Sequence, residues 1–238
     1  MQLRFLEWTD SDSSRQIATS LGNNDVQVWS APVNRGEINQ FAGRLSPGEQ
    51  LRANQFIAND ARDHFIVSRV VLRDLLGACL HIEPAAVSFG TSPRGKPFLN
   101  SAIDNDLSFN LSHSGGLVLI ALTRGRDIGV DVERADRPVD WLQLAPRIFS
   151  ARQLREIAAL PAAIQQRAFF NGWTRKEAYL KATGEGLIED LQAIEVTVEP
   201  DVRPRLLQLP TGPDSVGKWE LVAVPLPSEY AGAIVFEE

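Results

Sequence analysis

The chain has 238 residues, of which 44% are hydrophobic and 23% charged, a composition that can build a real globular core. Its formal net charge of -6 argues against broad binding to nucleic acids or membranes, because those partners are usually met by a basic surface. No apolar run approaches the roughly 20 residues that cross a bilayer, and the first residues are too polar for a secretory signal, so we expect a cytoplasmic protein.

The first half of the chain is predicted to contain a strand, a long helix and then further strands. The alternation over residues 26–29 predicts a strand with one buried face. Asn59 or Asp60 is a candidate cap for a helix whose apolar residues recur at helical spacing: Phe65, Val67, Val71, Leu72, Leu75 and Leu76. Apolar runs around residues 87–89, 107–111, 117–122 and 128–132 are predicted to be strands of one sheet.

The second half repeats this order. Ser150 and Gln153 form a capping-box pattern for a short helix, and a long helix is predicted from about Ala163 to Thr183, where Gly184 ends it. Strands follow around residues 193–198, 219–224 and 231–236. We therefore expect an α+β fold of two similar, tightly packed lobes, residues 1–126 and 127–238, each a long helix on a small, mostly antiparallel sheet, with a cleft between them.

The run Ile128-Gly129-Val130-Asp131-Val132-Glu133 is the sharpest local signal. A strand sends alternate side chains to opposite faces, so Asp131 and Glu133 share a face with Gly129. Two adjacent carboxylates repel each other, and a divalent cation relieves that repulsion, with Gly129 leaving room for a bulky ligand. The alternative is an amphipathic edge strand with solvated acids.

A second signal lies in the long helix of the second half. Trp173, Glu177 and Lys181 are spaced four residues apart and therefore share one stripe of that helix. Glu177 would add a third carboxylate to the acidic strand and complete a site for a hard cation. The alternative is an ordinary surface ion pair between Glu177 and Lys181.

The segment FNLSHSGG, from Phe109, predicts a strand that runs into a glycine-rich turn. Its backbone amides, hydroxyls and imidazole suit a phosphate group, although a lone histidine is more often a structural hydrogen bonder. A hydrolase of the G-x-S-x-G type is excluded, because that motif is absent. Upstream, residues 94–97 form a basic turn.

Taken in order, GKP at Gly95, FNLSHSGG at Phe109, IGVDVE at Ile128 and WTRKEAYLKATGEGL at Trp173 resemble the Sfp family of phosphopantetheinyl transferases, over roughly residues 44–191. The resemblance implies a pseudo-twofold α/β monomer that holds coenzyme A in the cleft. It also implies an enzyme of the holo-[acyl-carrier-protein] synthase type, which moves the 4'-phosphopantetheine arm of coenzyme A to a serine of an apo carrier protein and releases 3',5'-ADP. Mg²⁺ is the expected cofactor, and Mn²⁺ stays open.

The resemblance assigns roles in the second half. Asp131, Glu133 and Glu177 would ligate the metal, and all three would count as catalytic together with Lys181. Glu177 would also be the base for the carrier serine, while Lys181 would touch the phosphates and help the leaving group. The acceptor would be an acidic acyl or peptidyl carrier, which suits the local balance of nine Arg and two Lys against four Asp and three Glu over residues 124–181.

In the first half, the resemblance implies that Ser112 and His113 hold the nucleotide phosphates and that Gly95 with Lys96 lines the adenine and phosphate side. Arg94 and Pro97 are also expected to bind coenzyme A. Arg52 matches a family cation for the 3'-phosphate. Two positions depart from the family pattern: Glu49 stands where a cation is common, and Phe65 where a small hydroxyl residue is common. The candidate substitutes are Arg62, His64 and Arg69.

Two other functions are compatible with the motifs. A catalytically idle homologue would bind coenzyme A or a carrier without modifying it, and a metal-dependent phosphodiesterase would share the acidic site without needing a carrier. The sequence does not name the carrier, and the segment after about Leu191 carries no recognisable motif.

Overall fold

Two structural units divide the chain, Met1–Gly125 and Arg126–Glu238. The structure, a computed structural model, describes residues 1–91, 97–100, 106–184 and 191–238. No helix within these ranges is both long enough and apolar enough to cross a membrane.

The first unit has a four-stranded sheet in the order β1-β2-β6-β5, in which β1 and β2 are parallel and the other pairs antiparallel. A separate antiparallel pair joins β3 and β4. In chain order its elements are β1 (Leu3–Glu7), α1 (Asp12–Thr19), β2 (Val26–Pro32), α2 (Ile38–Ala42), α3 (Pro47–Asn54), α4 (Asn59–Leu80), β3 (Phe89–Thr91), β4 (Pro97–Leu99), β5 (Leu107–Ser114) and β6 (Leu117–Arg124).

The second unit has an antiparallel sheet in the order β10-β11-β7 and a short antiparallel pair of β8 and β9. Its elements are β7 (Ile128–Arg134), α5 (Trp141–Ile148), α6 (Ala151–Ala159), α7 (Ala162–Thr183), β8 (Glu195–Val196), β9 (Leu206–Gln208), β10 (Trp219–Ala223) and β11 (Tyr230–Glu237). Helices on small, mostly antiparallel sheets confirm the predicted α+β class.

Helix α4 forms where its apolar period predicts it, and five of the six predicted apolar residues are buried. Phe65 is the exception, being only partly buried. The predicted cap is wrong, because the helix begins at Asn59 itself and its N-cap is Ala58, without a side-chain hydrogen bond. The carboxylate of Asp60 binds Arg35 instead of a backbone amide at the helix start.

The prediction of one sheet for four apolar runs is wrong. Strands β5 and β6 belong to the first unit's sheet, whereas β7 pairs with β11 after a turn at Gly125, whose φ is +65°. Residues 87–88 precede β3 and are not part of a strand. Strand pairing depends on segments that can be distant in the sequence, so apolar segments that follow one another do not have to belong to the same sheet.

The first predicted strand is buried on both faces, not one. Gln27, which alternation assigns to a solvent face, is fully buried in β2 between β1 and β6. Its amide donates to the carbonyl of Ile17 at 3.1 Å, and its side-chain oxygen accepts from Trp29 Nε1 at 3.0 Å. These hydrogen bonds offset the cost of burying the amide.

The local signals of the second half are confirmed. Ser150 and Gln153 form the predicted capping box at the start of α6. Helix α7 spans 22 residues and ends at Gly184, whose φ of +70° is a left-handed conformation that glycine adopts without strain. Since α7 packs on β7 and β11, it covers the sheet that carries the acidic motif.

Candidate functional site

Gly129 is the point where α7 lies directly on β7. A Cβ at this position would be 2.0 Å from the carbonyl oxygen of Ala178 and 2.3 Å from the amide nitrogen of Ala182. The expected space for a bulky ligand above Gly129 is therefore wrong, because the helix backbone fills it. The absent side chain allows the close packing that brings the C-terminal part of α7 to the acidic strand.

Asp131 and Lys181 form the contact that ties the acidic strand to the helix. Lys181 Nζ donates to Asp131 Oδ1 at 2.7 Å, and Asp131 is buried. Both residues were expected at one site from the sequence, and the structure brings them together. An ammonium group thus neutralises a carboxylate that would otherwise be buried at high cost.

Glu177 lies one helical turn before Lys181, and its carboxyl group has an unusual environment. Its pKa is raised from 4.5 to about 7, first by burial and then by the neighbouring charge of Asp131. Glu133 adds to this rise and Lys181 opposes it. The other two carboxylates that the sequence singles out therefore both act on Glu177 electrostatically.

Glu133, the third of these acids, also meets a cation of its own chain. Arg137 Nη2 lies 3.2 Å from Glu133 Oε2, and the Arg137 guanidinium stands 5.6 Å from the ring centre of Phe170. Sequence reasoning missed Arg137. Arg137 follows Glu133 by four residues, a spacing that brings side chains together in a helix. Glu133 lies instead in β7, which ends at Arg134, so the spacing is only a weak sign of this contact.

The side chains around Glu177 can be compared with those that a metal ion requires. Within the described ranges, no three His, Cys, Asp or Glu side chains form a ready-made metal cluster, and the ammonium of Lys181 sits on Asp131. Glu177 Oε1, however, is buried and has no hydrogen-bond partner in the described part of the chain. An orphaned carboxylate oxygen beside two further carboxylates suits a hard divalent cation.

Lys176 is a second residue that sequence reasoning missed. It is fully buried, and Nζ donates to the carbonyls of Ile148 at 2.7 Å and Leu191 at 3.0 Å. It also stands 4.8 Å from the ring centre of Phe149. Lys176 therefore anchors α7 to the chain before and after it and fixes the rotation of the helix.

In the first unit, the predicted phosphate-binding segment forms the end of β5 and the turn to β6. Ser112 is buried and His113 is exposed, because alternate residues of β5 face opposite sides. The His113 ring stacks on His64 of α4, with ring centres 4.8 Å apart. The structure thus brings His113 to α4 and does not bring its imidazole to the same face as the Ser112 hydroxyl.

The remaining predicted contacts to the nucleotide are placed as follows. Arg52 in α3 donates to Gln55 Oε1 at 3.2 Å, and its guanidinium stands 5.2 Å from the ring centre of Phe56. Pro97 opens β4. The other residues of the predicted basic turn, Arg94, Gly95 and Lys96, lie outside the described residues.

Glu49, at the position of a missing family cation, has a structural role. It closes a capping box with Ser46 at the start of α3. Its Oε2 also accepts from Arg73 Nε at 3.0 Å, and Arg73 Nη1 donates to the Val87 carbonyl at 2.8 Å. Glu49 is thus part of the packing between α3 and α4.

Comparisons with known proteins point to one family. Residues 127–235 match the family model described as the 4'-phosphopantetheinyl transferase superfamily, and residues 28–124 match the model described as 4'-phosphopantetheinyl transferase, N-terminal. The chain is 38% identical over 194 residues to the 4'-phosphopantetheinyl transferase HetI of a Nostoc species, covering 80% of this chain and 81% of the relative. It is 26% identical over 170 residues to the 4'-phosphopantetheinyl transferase Sfp of Bacillus subtilis, covering 71% and 74%.

Among solved structures, the chain is similar to a holo-(acyl-carrier-protein) synthase from Bacillus anthracis in complex with CoA (3',5'-ADP). The sequence identity is 24% and the TM-score 0.37, over 47% of this chain and 95% of that one.

Proposed function

The chain belongs to the 4'-phosphopantetheinyl transferase superfamily, and on that premise we propose that it transfers the 4'-phosphopantetheine arm of coenzyme A to a serine of an apo carrier protein. One observation of the structure carries the assignment to this site. Glu177, with a pKa of about 7, lies beside Asp131, and Asp131 is held by Lys181 at 2.7 Å. A proton acceptor, a carboxylate pair and an ammonium group are the groups that this transfer needs.

In the proposed reaction, the serine oxygen bonds to the phosphorus that carries the pantetheine, and the bond from that phosphorus to the oxygen of the leaving nucleotide breaks. The serine proton passes to Glu177, the partly buried carboxyl group beside Asp131, which acts as the general base. The other product is 3',5'-ADP. Lys181 is the cation of this site that can neutralise charge on the departing phosphate.

Asp131, Glu133 and Glu177 are the residues that would hold Mg²⁺ or Mn²⁺, since their oxygens suit either ion. Such an ion, when bound, neutralises pyrophosphate charge that repels the serine oxygen. Lys181, which pairs with Asp131 Oδ1 at 2.7 Å, is the side chain that would bind the phosphates. The pKa of about 7 belongs to Glu177 without a cation, and a bound cation lowers it.

The proposed acceptor is an acidic carrier domain. In the second unit, Leu144, Phe170 and Trp173 line an apolar pocket that also has Arg137 and Arg147 in its wall. Apolar area bordered by arginines fits a protein surface that presents both apolar and acidic side chains. Charged residues near such a surface steer the encounter, so transfer to the carrier should slow as the salt concentration rises.

The test incubates the protein with coenzyme A, Mg²⁺ and a panel of apo acyl and peptidyl carriers, and then weighs each carrier for the added arm. Asp131→Ala and Glu177→Ala should each abolish the mass increase while the circular dichroism spectrum stays native. Asp201→Ala, at an exposed position, serves as the control. Full transfer by both site variants would refute the assignment of the site.

The same panel of carriers distinguishes the subtype of transferase and the two alternative functions. Modification of acyl carriers alone would support the holo-[acyl-carrier-protein] synthase type, and modification of peptidyl carriers as well would support a broad Sfp-like range. Binding of coenzyme A without modification of any carrier would favour an idle homologue. Release of nucleotide without an acceptor would favour a phosphodiesterase. Light scattering on the purified protein tests the proposed monomer.

A further inference from the structure

Arg137 contacts Glu133, one of the three acids that would hold a metal ion. Arg137 Nη2 lies 3.2 Å from Glu133 Oε2, and the two side chains are 47% and 19% exposed, respectively. An ion pair with this much solvent access contributes little to the stability of a fold. The more important consequence of the contact is therefore the orientation that it gives to the Glu133 carboxylate.

The backbone of Arg137 is held by hydrogen bonds to two other parts of the second unit. In the loop after β7, the amide of Ala135 donates to the carbonyl of Glu229 at 2.7 Å. Gln166 Nε2, in α7, donates to the carbonyl of Ala135 at 2.8 Å and to that of Arg137 at 3.2 Å. Pro138 follows and restricts the backbone angles of Arg137. The Arg137 side chain therefore starts from a defined position.

Two neighbours limit where the Arg137 guanidinium can bind. It stands 5.6 Å from the ring centre of Phe170, which is buried in α7. Asp136, the acid next to Arg137 in the chain, accepts from Arg134 Nε at 2.7 Å and from Arg134 Nη2 at 3.2 Å. Since Asp136 is engaged by Arg134 through both oxygens, Arg137 pairs with Glu133.

Helix α7 carries both the residues that hold Arg137 and the third acid of the site. Phe170 lies four residues after Gln166, and Glu177 seven residues after Phe170, which are one and two helical turns. These three side chains therefore share one side of α7. The charge of Glu133 contributes to the raised pKa of Glu177, so the two acids are close enough to interact. One helix thus supplies Glu177 and also fixes the partner of Glu133.

We propose that Arg137 is a positioning residue for the metal site, which orients the carboxylate of Glu133 toward a divalent cation. This inference rests on the proposed function, in which Asp131, Glu133 and Glu177 hold the cation. A carboxylate is planar and rigid, so a contact that fixes Oε2 also fixes the direction of Oε1. A ligand oriented beforehand loses less freedom on binding, and the hydrogen-bond partners of metal ligands typically contribute about 10- to 100-fold in affinity.

The positive charge of Arg137 acts in the opposite direction. A guanidinium repels a divalent cation, so loss of Arg137 would strengthen cation binding if this repulsion were its main effect. About half of the Arg137 side chain is in contact with solvent, which screens the repulsion, whereas the hydrogen bond to Glu133 acts at contact distance. We therefore expect orientation to outweigh repulsion. Because the two effects have opposite signs, a measurement of cation affinity distinguishes them.

Titration of the full chain with Mn²⁺ tests the proposal, at pH 8 and without coenzyme A or a carrier. The electron paramagnetic resonance signal of the unbound ion gives the affinity. Arg137→Gln should weaken Mn²⁺ binding about 10-fold, and Arg137→Lys, which keeps a cation but not the planar fork, should weaken it only about 3-fold. The role proposed for Arg137 in steering a carrier does not enter, because no carrier is present.

Arg134→Gln is the matched control. It removes the same charge from the same segment, its side chain is 48% exposed, and its partner Asp136 is not a proposed metal ligand. The control should change the Mn²⁺ affinity by less than about 2-fold, because it leaves the contact between Arg137 and Glu133 in place.

A double-variant cycle tests whether Arg137 acts through Glu133. In the Glu133→Gln background, adding Arg137→Gln should weaken Mn²⁺ binding by no more than about 2-fold further, since the carboxylate to be oriented is gone. Without a metal, Arg137→Gln and Arg137→Lys should melt at the temperature of the unmodified protein. A lower melting temperature with unchanged Mn²⁺ affinity would show a structural role and refute the positioning role.

Four other results would overturn the proposal: an unchanged or increased Mn²⁺ affinity in Arg137→Gln, an equal loss in Arg134→Gln, a full loss that persists without Glu133, or an unmodified protein that binds no Mn²⁺. Transfer of the arm to a carrier by a protein that gives any of these results would leave the proposed function standing. A protein that loses Mn²⁺ affinity as expected but modifies no carrier would support the role of Arg137 and refute the transferase.

Discussion

Replacing Glu177 by Gln should stabilise the metal-free protein at pH 8 and leave it nearly unchanged at pH 5. The carboxyl group has a pKa of about 7 in the folded state, compared with an ordinary value of 4.5. Between these two values the folded chain holds a proton that the unfolded chain has released. The free energy of unfolding therefore falls as the pH rises from 4.5 to 7, and it is level above that range.

The size of the effect follows from the same difference. Each pKa unit corresponds to 1.36 kcal/mol, so the difference between 4.5 and about 7 gives an upper limit of about 3 kcal/mol. Partial solvent access at Glu177 lowers this, and we expect about 1–3 kcal/mol at pH 8. Gln stays neutral at every pH, so the variant escapes the cost of a buried charge beside Asp131.

The assay is urea unfolding in the presence of a chelator at pH 5, 6, 7 and 8, with Glu7→Gln at an exposed strand position as the control. The stability of the unmodified protein and of the control should fall over this range by the same amount, while Glu177→Gln should lose less. Parallel curves for all three proteins would show that Glu177 titrates normally. The electrostatic account of the site would then fail.

Three further predictions concern the same helix and strand. Mg²⁺ should raise the melting temperature of the unmodified protein at pH 8 but not that of Glu177→Gln, as measured by calorimetry; an equal rise would place the ion elsewhere. Gly129→Ala should cost about 2–4 kcal/mol in urea unfolding, since its Cβ would meet the Ala178 carbonyl at 2.0 Å, whereas Gly217→Ala, with nothing within 4 Å, should change little. Lys176→Met should also cost about 2–4 kcal/mol, because two buried carbonyls lose their donor; a neutral effect would show that water replaces it.

Features set by a few neighbouring residues were predictable from the sequence. The capping box at Ser150 depends on local hydrogen bonds that serine and glutamine side chains favour. The helix end at Gly184 depends on a left-handed φ that glycine favours. The four-residue spacing likewise predicted that Glu177 and Lys181 share a face of α7. The alternation of side chains along a strand predicted that Asp131 and Glu133 lie on one side of β7.

Features set by distant partners were not predictable in this way. Nothing near Ile128 specifies that β7 pairs with β11, about a hundred residues later. From the sequence, the space beside Gly129 could be filled by a ligand or by a packed helix. The structure shows that the backbone of α7 fills it. The burial of Lys176 depends on carbonyls before and after its own helix, so its sequence position gave no sign of its role.

The contact between Gly129 and α7 has a consequence for how the site can hold three acids. The packing of α7 on β7 brings Glu177 close to Asp131, and the chain itself offsets the repulsion between these acids. Two means are visible: Lys181 neutralises Asp131, and the raised pKa lets Glu177 keep its proton near neutral pH. Both means are reversible, because an ammonium can swing away and a proton can leave. The proposed binding of a cation and a pyrophosphate needs that reversibility, whereas an arginine paired permanently with Asp131 would oppose it.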